Sequence, residues 1–221
     1  MRPYRDVLWS DMEPIYHAIL EHPFITGLTD GSLLREAFRH FVVQDAHYLR
    51  GYARALAGCA AKAPDENSIV MFAEHAAEAL TAERELHAAL MVELGSSAEA
   101  ALKEPIAPTT CAYVSYLMAS VLGGSYAEAV GAIVPCYWIY AKVGEALLER
   151  GSPDPLYERW IAMYGSEDFK DVVEAVLHVV DDVGAAASSA ELDRVRQHVR
   201  TTSRYEWMFW DAGYRRESWP I

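Results

Sequence analysis

The sequence is poor in cysteine and in positive charge, and it contains no Glu-x-x-His or Asp-x-x-His pair. Cys59, Cys111 and Cys136 are its only thiols, widely spaced and with no C-x-x-C. An odd, scattered set argues against a disulfide framework and a zinc knuckle, and fits a reducing, cytoplasmic setting. Lysine and arginine number 19 against 32 acidic residues, a net charge of −13. A nucleic acid or an anionic membrane needs a basic footprint, so neither is expected as a partner. A small neutral or cationic ligand is compatible with this charge. Carboxylate-bridged metal sites in helical bundles take Glu-x-x-His from two helices, so no metal and no cofactor is assigned. The apolar run from Ala129 to Ala141 falls short of the about 20 residues a membrane span needs. Residues 1–13 carry Arg2, Arg5, Asp6, Asp11 and Glu13 with no apolar block, unlike a signal peptide. No alternating strand pattern, internal repeat or low-complexity segment is present.

What is there is a helical sequence. Of its 221 residues 52% are hydrophobic and 23% charged, which suits one globular domain over 1–221 with a full core. The pattern predicts an all-α, multi-helix bundle of about eight helices. The first should run from about Pro3 to Glu21, broken by His22-Pro23-Phe24, with a loop then closed by Asp30-Gly31. Ser32 reads as the N-cap of a second helix reaching Lys62, and Pro64-Asp65 as the start of a third that ends near Leu94. The charges of that third helix, among them Glu74, His75, Glu78, Glu83, Arg84, Glu85 and His87, read as a solvated face. A short patch at Ser96–Lys103 precedes a fourth helix, capped by Thr109 or Thr110 and ending near Leu122.

The central helix should span Ser125 to Arg150. Ser125 and Glu128 form a capping box, and Gly151 supplies a left-handed stop. Ala129, Ile133, Cys136, Tyr140, Val143 and Leu147 recur at helical spacing on its inner face. Pro135 removes a backbone N–H, which should kink the helix beside Cys136 and open room at the thiol. Otherwise Cys136 is a small buried hydrophobe. Asp154-Pro155 opens a short helix to Tyr164, and Ser166 another to Val183. Gly184–Ser189 reads as a linker, and Ser188 with Glu191 as a second capping box for a last helix reaching Arg215.

Two carboxylates break apolar stripes. Asp45 falls in the stripe Phe38, Phe41, Val42, Tyr48, Leu49, Tyr52, and Glu206 in the stripe Val195, Val199, Thr202, Phe209. A buried carboxylate is costly unless it is partnered or lines a cavity. For Asp45 the structural alternative is a local hydrogen bond, and for Glu206 an ion pair with Arg204. A thiol and two carboxyls from three helices, with Tyr48, Tyr113, Tyr140 and Tyr164 nearby, suit covalent catalysis on a flat heteroaromatic ligand. A Cys–His protease arrangement fits poorly, because the Cys136 stripe holds no histidine.

The run Ala132-Ile133-Val134-Pro135-Cys136-Tyr137-Trp138-Ile139-Tyr140, followed by Val143-Gly144-Glu145, resembles the signature of the TenA (thiaminase II) family. His22-Pro23-Phe24, Gln44-Asp45 with Tyr48-Leu49, Tyr164-Gly165, Tyr205-Glu206 with Phe209-Trp210, and Tyr214 to Trp219 resemble family blocks in family order. The resemblance covers essentially the whole chain and implies an all-α fold like that of haem oxygenase, without haem, in cytosolic homotetramers. It implies hydrolysis of 4-amino-5-aminomethyl-2-methylpyrimidine to the hydroxymethylpyrimidine and ammonia, and cleavage of thiamin to the same alcohol and thiazole. By the same resemblance Cys136 is the nucleophile that adds to the ring. Glu206 is the acid/base for ring nitrogen and leaving group, and Asp45 binds the exocyclic amine and steers the thiol. Tyr48, Tyr113, Tyr140, Tyr164 and Phe209 match substrate-binding positions. His47, Trp207 and Gly213 depart from common family residues, and His47 is placed to affect specificity through Tyr48. A binding or regulatory protein on the same fold is the alternative, and turnover of the aminopyrimidine separates the two.

Overall fold

The computed structural model describes residues 2–221, without the side chains of 82–88 and 98. Its ten helices are α1 (Tyr4–Leu20), α2 (Pro23–Asp30), α3 (Arg35–Lys62), α4 (Glu66–Glu93), α5 (Ala98–Ala101), α6 (Pro108–Gly123), α7 (Tyr126–Leu148), α8 (Pro155–Tyr164), α9 (Glu167–Ala186) and α10 (Ser189–Arg215). No strand occurs among the described residues. The all-α expectation is met. The centre of the bundle is α7, buried along nearly its whole length from Ala127 to Gly144. Around it α10, α6, α8, α9 and α3 make direct contact, while α4 lies outside, packed along α3. One continuous apolar core links the helices, from Leu8 in α1 to Trp210 in α10.

Several helix starts follow local chemistry. Ser125 accepts from Glu128 N at 3.3 Å, and its own N–H donates to Glu128 Oε2 at 3.0 Å, completing the box at the head of α7. Gly151 takes the expected left-handed backbone, φ 66°. Asp65, Asp154 and Ser166 cap α4, α8 and α9. Pro135 lies inside α7, which continues as helix on both sides of it.

Other boundaries differ from the expectation, some for local and some for tertiary reasons. The expected loop after His22 is helix α2, capped by the His22 ring, whose Nδ1 accepts from Phe24 N at 3.1 Å. Ser32 does not cap α3. The cap position is Leu34, and Ser32 N donates to Asp30 Oδ1. Thr109 and Thr110 lie within the first turn of α6, and Glu217, far along the chain, accepts from Thr109 N at 2.7 Å. Gly184 is not linker but part of α9, where a Cβ would come within 2.2 Å of Tyr4 Cβ. At α10 only half the second capping box forms. Ser188 accepts from Glu191 N, but the Glu191 carboxylate instead accepts from the Ser125 hydroxyl.

Candidate active site

A cavity of about 160 Å³ opens between α3, α4, α7, α8 and α9. Asp45 and Tyr48 from α3, Cys136 and Tyr140 from α7, and Tyr164 at the end of α8 stand on its wall. Tyr164 is positioned by Gly144, because a Cβ there would lie 2.4 Å from the Tyr164 carbonyl. Only glycine lets the end of α8 close so tightly on α7. The Tyr140 and Tyr164 rings then sit 5.0 Å apart.

Glu206, Tyr113 and Phe209 form the layer behind Tyr48. The Tyr48 ring is 4.9 Å from Tyr113 and 5.6 Å from Phe209, and the Tyr113 hydroxyl donates to Glu206 Oε1. Tyr205 stacks on Tyr113 at 5.0 Å and supports it from the far side. Glu206 is 1% exposed and its partner is this phenol, not Arg204. Trp207 packs against His22, and Trp210 stacks on Phe41.

The electrostatics follow from burial. Glu206 is pushed up to about 8 by loss of water, against the lowering effect of the Tyr113 hydrogen bond and with a further push from the Asp45 charge. Tyr113 is held well above the usual phenol range by burial and then by the charges of Glu206 and Cys136, so it keeps its proton as donor. Tyr140 is raised by burial, then by Asp45 and Glu206. The three polar groups singled out in the sequence thus act on one set of tyrosines. The Tyr48 hydroxyl is buried with no hydrogen-bond partner of good geometry among the described residues. An orphan donor beside a cavity suits a polar ligand atom.

Some of the wall was not foreseen. Tyr52, one turn beyond Tyr48, lines the cavity and stacks on Tyr48 at 5.5 Å; the α3 stripe already contained it. His75 and Glu78 were read as solvated, yet both line the cavity, and His75 Nδ1 lies 3.0 Å from the Tyr137 hydroxyl. No sequence signal marked them, because α4 has apolar residues on several sides. The side chains of Glu83, Arg84, Glu85 and His87 lie outside the described residues. His47 is not on the cavity wall; its Nε2 donates to the Glu104 carbonyl at 2.9 Å.

Residues 9–216 match the TENA/THI-4/PQQC family. The chain belongs to this family. Within it, the chain is 34% identical over 200 residues to the aminopyrimidine aminohydrolase of Bacillus subtilis (strain 168), covering 90% of this chain and 84% of that one. It is 35% identical over 214 residues to the aminopyrimidine aminohydrolase of Halalkalibacterium halodurans, covering 96% of each. It is 37% identical over 199 residues to the thiamine biosynthesis multifunctional protein ThiED of Corynebacterium efficiens, covering 90% of this chain and 26% of that one. Among solved structures, the TenA homologue from P. horikoshii OT3 superposes with a TM-score of 0.88 at 31% identity, over 96% of this chain and 99% of that one. A Shewanella denitrificans domain with a haem oxygenase-like fold superposes at TM-score 0.75 and 17% identity, over 96% and 92% of the chains. That last likeness concerns the fold alone, and it agrees with the haem-oxygenase-like bundle expected of this TENA/THI-4/PQQC member. No helix among the described residues is long and apolar enough to cross a membrane.

Proposed function

We propose that the protein hydrolyses 4-amino-5-aminomethyl-2-methylpyrimidine to the hydroxymethylpyrimidine and ammonia, and cleaves thiamin to the same alcohol and thiazole, in thiamin salvage. One observation carries the reading. Cys136 and Asp45 share an aromatic cavity wall, and a carboxyl pushed up to about 8, Glu206, lies behind it. The relatives named aminopyrimidine aminohydrolase support it.

An amine on a methylene is a poor leaving group for direct displacement. Addition of a nucleophile to the ring carbon beside the substituted one changes that. In the proposed scheme the Cys136 thiol gives its proton to Asp45 as sulfur bonds to that carbon, and Glu206 gives its proton to the adjacent ring nitrogen. The exocyclic amine then pushes out the leaving group. Glu206, expected to protonate it, has by then given its proton to the ring, so in this scheme the leaving group takes the Asp45 proton and departs as ammonia, leaving an exocyclic carbon–carbon double bond. Water adds its oxygen to this methylene, and its spare proton returns to Asp45. The ring nitrogen gives its proton back to Glu206, and sulfur leaves with the proton on Asp45. One water is consumed, one ammonia is released, and all three side chains are restored. A carboxyl near 8 is largely protonated at neutral pH, as this scheme requires of Glu206. Tyr48, Tyr113, Tyr140, Tyr164 and Phe209 hold the pyrimidine and its supporting layer, and no cofactor enters.

The protein is further proposed to work as a single-domain, cytosolic homotetramer. Leu34, Val70, Val92 and Leu122 are exposed apolar side chains that such an assembly could cover. Light scattering at the mass of one chain, 24.7 kDa, would defeat the tetramer. For the reaction, the test is release of ammonia and hydroxymethylpyrimidine by wild type and Cys136→Ser. The serine variant should lose most turnover and still bind the product. Ligand binding without turnover in wild type would instead make this a binding or regulatory protein.

A further inference from the structure

The cavity has two unlike ends. Asp45, Tyr48, Tyr140 and Tyr164 are only 2–5% exposed and close one end. The other end reaches the surface between α4 and the α8–α9 corner. There Glu78 is exposed, and His75, Met163, Phe169 and Val172 are half-buried. His75 and Glu78 are three residues apart on α4, so they present to the same side. The ring of His75 is tethered through Nδ1 to the Tyr137 hydroxyl. Glu78 makes no ion pair among the described residues, although 17 such pairs are seen elsewhere among them.

A flat pyrimidine with an exocyclic amine suits the closed end, which offers tyrosine faces, an orphan hydroxyl and the Asp45 carboxylate. Its substituent then points toward the exposed end of the cavity. That end carries the Glu78 carboxylate, which has no ion-pair partner among the described residues, the ring of Phe169 and the polarizable sulfur of Met163. Carboxylate, aromatic face and thioether together favour a flat cation over a small amine.

We propose that His75, Glu78, Met163, Phe169 and Val172 form a leaving-group subsite selective for heteroaromatic cations, of which the thiazolium of thiamin is one. This rests on the hydrolase reading above. Ammonia is too small to touch the subsite, whereas a thiazolium spans it. The subsite therefore sets the preference between the two substrates, while the closed end sets the preference for the pyrimidine.

The test is the ratio of kcat/KM for thiamin to kcat/KM for the aminomethylpyrimidine. Glu78→Gln, at an exposed position, should lower this ratio about threefold, less at high salt. Val172→Trp, which fills the mouth, should lower it about tenfold. A melting scan confirms that each variant is folded. Parallel losses on both substrates, or an unchanged ratio in both variants, would overturn the subsite. If wild type turns over neither compound, the hydrolase reading fails, and the subsite is judged by calorimetry instead. The same variants should then weaken thiamin more than hydroxymethylpyrimidine, and equal weakening would overturn it.

Discussion

Two carboxylates packed along α10, Asp11 and Glu206, are held by opposite means. Along the first half, Arg196 and Arg200 reach across to Asp11 of α1, with N–O distances of 2.7, 3.0 and 2.7 Å. Burial alone would raise Asp11, but the two guanidinium groups outweigh it and hold the carboxyl below its usual range. Along the second half lie Phe24, Phe41, Phe209 and Trp210, and Glu206 receives one phenol and, among the described residues, no cation. That carboxyl is driven up to about 8. The two carboxyls differ in both respects that set protonation: Glu206 is the more deeply buried, and only Asp11 is met by guanidinium groups. One half of the helix uses charge to fasten α1, and the other keeps a proton available beside the cavity.

Glu206→Gln is the strongest way to probe this contrast. It keeps size and neutrality, so the fold and ligand affinity should change little. Loss of a general acid should cost about 100- to 10,000-fold in kcat. A variant with a lower melting temperature but near-normal turnover would make Glu206 structural. Gly144→Ala should come next. The added Cβ would force the end of α8 away from α7 and move Tyr164, with an expected loss of about 1–3 kcal/mol in stability and weaker product binding. A melting temperature equal to wild type would refute the close approach.

Asp11→Ala should destabilise by about 1–2 kcal/mol, discounted because both arginines are partly exposed, and leave turnover per folded molecule unchanged. A stability change confined to low salt would reduce the cluster to a surface ion pair. The pH dependence sharpens the comparison. Between about 4.5 and about 8 the folded chain holds a proton on Glu206 that the unfolded chain lacks. Its contribution to stability is therefore whole below about 4.5 and is lost as pH rises through about 8. Asp11 behaves oppositely, contributing above its unfolded value of 3.8 and losing that contribution as acid protonates it. Melting temperature should fall as pH rises from about 4.5 to about 8, a slope that Glu206→Gln removes and Asp11→Ala does not. The smallest effect is expected of Cys59→Ser and Cys111→Ser, since neither thiol lines the cavity. A large loss of turnover in either would place a second thiol in the mechanism.

The helices were legible wherever their signals were local. The capping box of Ser125 and Glu128 and the stop at Gly151 need only adjacent residues, so sequence and structure agree there. Where a cap came from afar, as Glu217 does for α6, the nearest threonine was mistaken for it. Gly184 has the composition of a linker and the role of a contact. For the site, Asp45 and Glu206 stood out because each interrupts an apolar stripe. His75 and Glu78 did not, because polar residues on an outer helix interrupt nothing.

By itself, the sequence determined the all-α class, the central helix with its cysteine, and the two carboxylates out of place in their stripes. Periodicity, capping and burial cost are properties of short segments and can be read from them. Only the tertiary structure decided that Tyr113 meets Glu206, that Gly144 brings Tyr164 to the wall, and that α4 supplies the cavity mouth. Those pairings join residues 93, 20 and more than 60 positions apart. They depend on how helices pack against one another, which no local pattern encodes.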